Sequence, residues 1–372
     1  MIECRVVSTS AELTQWIALT DRLYGDTPQF VPPLRAQIRD LFTGKAPGLR
    51  YGTLELLSFV RDGEIVARTT AHTNSKLDAK LGERLLLFGY TEFVDEDGVF
   101  AALATTLAER ARAIGAGRLF GPANLLPNQS GGVVTSGYEE RGFVDSPYNH
   151  AYYPRLYERH GFVRRFEGET FVLERLDDGP PVDELFRFDQ ERVEREHLEV
   201  RHASRKHLAE ELPVVRGMLN ASFAQRGYYT EIDEAEFAYQ VDGLAYLLDE
   251  RIALYLYKNG NPIGFLLCIP DISQFVRKVN GNLGLVNQLR LYGTRSRYRR
   301  EAICVIQGIV PDEQGNGYLR LLWHELMRNL RTAGYETLHG TFVEHENVAS
   351  SSYADRLGRP AHGVTFYARE VA

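Results

Sequence analysis

With 372 residues the chain is long for one hydrophobic core, so two domains are expected. Its 44% hydrophobic and 25% charged residues exclude a disordered chain, and a net charge of -7 argues against a protein whose affinity comes from neutralising nucleic-acid phosphates. Three scattered cysteines, Cys4, Cys268 and Cys304, give neither a disulfide framework nor a metal spacing, and the histidines form no ligand cluster, so no metal is expected. No apolar run reaches transmembrane length and no secretory leader is visible, which predicts a cytosolic protein.

In chain order, a short strand near Ile2 to Val7 precedes an amphipathic helix over Ala11 to Leu23. Strands follow at Glu55 to Val60 and Glu64 to His72, joined by Asp62-Gly63, a hairpin signal because both turn residues tolerate positive φ. Next come strand Leu85 to Phe93, helix Val99 to Ile114, strand Arg118 to Gly121, helix His150 to His160 and closing strands near Glu169 to Leu173. The breaker-rich Asp177-Asp-Gly-Pro-Pro181 marks a boundary near residue 180, dividing the chain into 1–180 and 181–372. A charged stretch to His197 follows, as a helix or an extended arm.

The second half repeats the order. Strands Ile252 to Tyr257 and Pro262 to Ile269 flank an Asn259-Gly260 turn, and strand Ile303 to Val310 leads into helix Tyr318 to Thr332. Strand Glu336 to Val343, helix Val348 to Leu357 and strand Gly363 to Glu370 complete it. Strands alternating with helices predict an α/β protein with a mixed sheet in each half.

The junction Ile309-Val-Pro-Asp-Glu-Gln-Gly-Asn-Gly-Tyr318 runs from a strand through two glycines straight into an apolar-periodic helix. Glycine lets backbone amides turn toward a ligand, and a helix N-terminus adds its positive dipole end, so a pyrophosphate is the expected occupant. The spacing is neither a dinucleotide G-x-G-x-x-G nor a G-K-[ST] loop. The first half has Phe93-Val-Asp-Glu-Asp-Gly98 at the equivalent place, whose carboxylates would repel that anion.

The V-x-P-x-x-Q-G-x-G run, carried by Ile309, Val310, Gln314, Gly315, Asn316, Gly317 and Tyr318, resembles the coenzyme A loop of GNAT-type N-acyltransferases, although Leu319 stands where that family prefers Gly or Ala. Further along the chain, Gly121-Pro-Ala-Asn124, Gly131-Gly132, Tyr148-Asn-His-Ala-Tyr-Tyr-Pro154, Tyr157-Glu-Arg-His-Gly-Phe162, Asn220-Ala-Ser-Phe223, Asn280-Gly281 and Phe342-Val-Glu-His-Glu-Asn347 are similar to tandem GNAT-like bacterial proteins that include bacterial ceramide synthases. The resemblance implies two tandem GNAT-like domains, each a mixed, mostly antiparallel sheet flanked by helices, with the donor bound by the second half alone. It implies acyl transfer from an acyl-CoA thioester to an amine, with the backbone of Ile309 and Val310 holding the pantetheine arm and thioester carbonyl. Acyl carrier protein is an alternative carrier, docking on the basic cluster Arg290 to Arg300. Aminoacyl transfer from charged tRNA and a non-catalytic binding module are the competing readings.

An amine nucleophile needs a base that titrates near neutrality, which makes His345, at the end of a strand opening onto the cleft, the first candidate. Glu344 alternates with it and is expected to face the other way, orienting His345 or binding the amine. Asn347 reads as the N-cap of the last helix or a site residue, and the resemblance makes Tyr353 the candidate acid for the leaving thiolate. Tyr228 and Tyr229 fall in the loop that borders the acceptor in this fold type. The insertion from Asp271 to Arg300 is a candidate lid, whose Leu283, Leu285, Val286 and Leu289 could instead pack on the other half.

Overall fold

The computed structural model describes residues 1–126, 130–242, 247–347 and 358–371. In chain order its strands are β1 (Glu3–Val6), β2 (Leu54–Arg61), β3 (Glu64–His72), β4 (Leu85–Phe93), β5 (Arg118–Gly121), β6 (Val133–Ser136), β7 (Val163–Leu173), β8 (Leu198–His202), β9 (Ala253–Lys258), β10 (Asn261–Pro270), β11 (Glu301–Ile309), β12 (Thr337–Glu344) and β13 (Arg359–Glu370). The two hairpin turns form as their sequences require. Asp62 and Gly63 sit at φ 51° and 83°, and Asn259 and Gly260 at 51° and 78°, the paired positive φ values that match the twist of β2–β3 and β9–β10.

All strands join one 13-stranded sheet in the order β1-β2-β3-β4-β5-β13-β7-β12-β11-β10-β9-β8, with β6 attached to β13. Each half contributes one parallel pair, β4 with β5 and β11 with β12; every other named pairing is antiparallel. The order is symmetric about the β13–β7 junction. The closing strand of the second half, β13, lies beside β5 of the first, and β7 lies beside β12 of the second. Each half therefore completes the other's sheet, and the change of half near residue 180 does not interrupt it.

Helices cover the sheet by apolar spacing. Leu319–Ala333 buries Leu322, Trp323, Leu326, Met327 and Leu330 against β9 to β12, and Asp97–Ala113 buries Val99, Phe100, Leu103, Leu107 and Ala111 on the first half. Each large side chain removed from water in this way contributes about 1.5–3 kcal/mol. The charged stretch before His197 resolves into two short helices, Val182–Leu185 and Gln190–Arg195. Strand β8 follows it, an edge strand that hydrophobic alternation does not announce because only Leu198 of its five residues is buried. The last predicted helix, Val348 to Leu357, lies outside the described residues.

Candidate active site

Between β11 and the Leu319–Ala333 helix the chain makes a tight loop. Gly315 and Gly317 take φ 78° and 75°, values strained for other residues. Outer contacts pin it: Gln314 Nε2 donates to Ile309 O (2.9 Å), Asn316 Nδ2 to Glu313 O (3.2 Å) and Arg192 Nη1 to Asn316 O (2.9 Å). The Lys258 ammonium meets the Glu313 carboxylate at 2.8 Å. Tyr318 is buried, its hydroxyl donating to Glu196. Within the described residues, the amides of Gly315, Asn316, Gly317, Tyr318 and Leu319 donate to no protein acceptor. Five successive unpaired N–H groups at the positive end of a helix form an anion cradle. Leu319 contributes its amide while its side chain packs toward the core. The Val310 N–H is engaged within the sheet, donating to Ile263 O (2.9 Å), and Ile309 O is taken by Gln314.

The equivalent place in the first half has no such cradle. Its three carboxylates meet cations rather than helix amides: Glu96 is paired with Arg61, Asp95 with Arg155, and Asp97 with Arg159 and His160.

Beside the cradle the parallel pair opens. Residues β11 and β12 pair from Glu301–Thr337 to Cys304–Gly340 and no further, after which the Thr341 hydroxyl caps Val305 O at 2.9 Å. Glycine sets two close approaches around the opening. A Cβ on Gly308 would fall 3.0 Å from the Ser222 Cβ on the Leu208–Phe223 helix, and one on Gly168 of β7 would fall 2.2 Å from Val343 O. Ser222 Oγ is buried there without a protein partner among the described residues.

Glu344 ends β12 inside this opening, 7% exposed, with Arg226 Nη1 3.7 Å from its carboxylate. Burial pushes the Glu344 carboxyl above its usual range; Arg226 pulls it back and Glu346 adds to the rise. Tyr228 lies alongside, its ring packed edge-on against Phe166 at 4.9 Å, its hydroxyl pushed up to about 12 by burial and by the Glu344 charge. Tyr229 plays a different part. It is buried against Phe223 and donates to Asn220 Oδ1 at 2.7 Å, so it anchors the loop that carries Arg226 and Tyr228. His345 is exposed to solvent and among the described residues is held through its backbone N–H to Glu167 O (3.0 Å). The Asn347 N–H closes a turn onto Glu344 O (2.8 Å), and Tyr353 lies outside the described residues.

The structure thus brings the cradle, Glu344 and Tyr228 to one end of the β11–β12 pair, and adds Arg226 and Ser222, which the sequence reading missed. The available signals were the cation in Gln225-Arg-Gly227 and the hydroxyl in Ala221-Ser-Phe223. Away from this site, Asp271, Glu301 and His339 converge within 4.8 Å of one another. The Arg141 guanidinium already lies among them, with Nη2 3.0 Å from Asp271 and bonded to Glu301, and fills the place a cation would take.

A cleft also opens in the first half, lined by Phe30, Tyr90, Glu92, Asp145 and Tyr148. Glu92 accepts from the Tyr24 and Tyr153 hydroxyls at 2.7 and 2.6 Å, whereas Asp145 is exposed to solvent.

A mixed sheet opened at a parallel pair beside a helix N-terminus, built twice with exchanged closing strands, defines the class: the chain has the tandem GNAT fold. Solved structures agree over the whole length. A tandem GNAT protein from the clavulanic acid biosynthesis pathway superposes with a TM-score of 0.60 at 14% identity, covering 100% of this chain and 99% of that one. A GCN5-related N-acetyltransferase from Sphaerobacter thermophilus gives 0.53 at 13%, covering 100% and 96%. No family model matches the sequence. In sequence the chain is similar to Protein YghO of Escherichia coli K12, 26% identical over 373 residues covering 97% of this chain and 93% of that protein. It is also similar to a bacterial ceramide synthase of Caulobacter vibrioides, 23% identical over 374 residues covering 95% and 93%.

Proposed function

We propose that the chain is an N-acyltransferase that moves an acyl group from a coenzyme A thioester, held by the second half, to the primary amine of a small molecule or lipid-like base. The observation that carries this reading is the run of five unpaired amides from Gly315 to Leu319, beside the open end of a parallel strand pair. A pyrophosphate on those amides would direct its pantetheine arm along β11 toward Glu344. There the amine nitrogen attacks the thioester carbonyl carbon, the C–S bond breaks, and the amine's proton passes to a base. Glu344 is assigned that role in preference to His345, because a buried carboxylate with a raised pKa is a stronger base than an ordinary one and lies beside the cleft. Arg226 orients it, and Tyr353 supplies the thiolate's proton as the resemblance implies. A long-chain amine accords with the relative named a ceramide synthase.

Thermal-shift titration with coenzyme A and acyl-CoA thioesters of increasing length tests the donor site, since a ligand bound only by the folded state raises Tm. Gly317→Glu places a carboxylate in the cradle and is expected to abolish the shift, while the unliganded Tm falls only by the strain of a side chain at positive φ. A native shift that survives in Gly317→Glu, or no shift with any thioester, would refute the assignment.

A further inference from the structure

The insertion between β10 and β11 is docked rather than hinged. Arg35 of the first half donates its N–H to Gly281 O (3.0 Å) and its Nε to Asn280 O (2.7 Å), and a Cβ on Gly281 would fall 2.3 Å from Pro33 O. Its helix, Leu285–Thr294, turns Leu291 inward onto Val31, Phe275 and Val276. At about 100° per residue, Leu285, Val286, Leu289 and Tyr292 occupy the opposite side, and they are 73%, 71%, 66% and 54% exposed. No other helix among the described residues presents such a face.

Charge is as one-sided as hydrophobicity. Residues 272–300 contain seven Lys and Arg and no Asp or Glu, in a chain of net charge -7. Arg300 pairs with Glu336, but Arg277, Lys278, Arg290, Arg295, Arg297 and Arg299 meet no carboxylate among the described residues. The Arg295 guanidinium rests on the Tyr292 ring at 4.0 Å.

We propose that this face docks the protein on an anionic lipid surface, with Leu285, Val286, Leu289 and Tyr292 inserted at the headgroup boundary and the surrounding cations meeting lipid charge. A short helix with an apolar outer face, a basic rim and an aromatic at its edge has the composition of an interfacial helix. It spans nothing: among the described residues no helix is long and apolar enough to cross a membrane. A second copy of the chain is disfavoured as occupant, because a two-fold contact would set the same unpaired cations against each other. A soluble acidic partner would meet the cations but would also need a pocket shaped to the four apolar side chains. Bilayer partitioning needs no matching pocket, and the inference does not depend on acyl transfer.

Co-sedimentation of the full chain with phosphatidylcholine vesicles, and with vesicles containing phosphatidylglycerol, tests it. Binding is expected only to the anionic vesicles, weakening with salt. Arg290→Ala with Arg295→Ala is expected to weaken binding about 25-fold, from about fivefold for each charge near an anionic surface, and Leu289→Glu to abolish it. Because these side chains face solvent, an unchanged Tm certifies each variant as folded. Failure of the native chain to bind anionic vesicles, or equal binding by Leu289→Glu, would overturn the proposal. So would binding to an acidic acyl carrier protein without any to vesicles.

Discussion

Glu344 and His345 differ by one position on β12, and that step separates a buried carboxylate from an imidazole in solvent. The sequence favoured His345 because an unperturbed imidazole already titrates near neutrality; alternation placed the two on opposite faces without saying which face the Arg226 loop would cover. If Glu344 is the base, Glu344→Gln should lower kcat at least about 100-fold while His345→Ala stays within about threefold, measured by thiol release. Activity must fall as pH drops, because the protonated acid cannot accept the amine's proton. Since burial raises the Glu344 pKa, the acid limb of kcat/KM should lie above the usual carboxylate range near 4.3. Arg226→Met removes the charge that favours the ionised form and should move that limb further up.

Elements with local signals were legible. The Asp-Gly and Asn-Gly hairpins, the strand–glycine–helix junction, and the Leu319–Ala333 helix all follow from short-range spacing. What eluded the sequence was pairing between distant segments. Strand β6 is four residues long and attaches only to β13, and nothing in the local pattern of Val163 to Leu173 indicates that it faces strands of both halves. The insertion read as a lid is clamped instead through Arg35 and Gly281. A second clamp joins Arg141 to Asp271 and Glu301, where the Asp271 carboxylate is almost wholly buried. Arg141→Met removes the guanidinium from between those carboxylates and leaves only the His339 imidazole beside them among the basic groups of the cluster, and a loss of about 3 kcal/mol in urea unfolding is expected. A metal binding in its place is not, and the variant's stability should be unchanged by chelator.

At the scale of the molecule, the repeat was readable as two passes through one element order, but its consequence for autonomy was not. Since β13 fills the space between β5 and β7, and β7 lies against β12, fragments 1–180 and 181–372 each end with an unpaired sheet edge. Made separately, neither should show a cooperative melt by circular dichroism; co-expressed, they should co-purify as one complex. Two stable, independent fragments would contradict the exchanged arrangement. The same exchange bears on synthesis. Because β13 is translated after the whole of the second half, a nascent chain on the ribosome must carry the first half with its sheet unfinished throughout that interval. A premature stop at Arg359 would therefore disable the portion of the protein made first, leaving its open edge for chaperones and proteases to recognise.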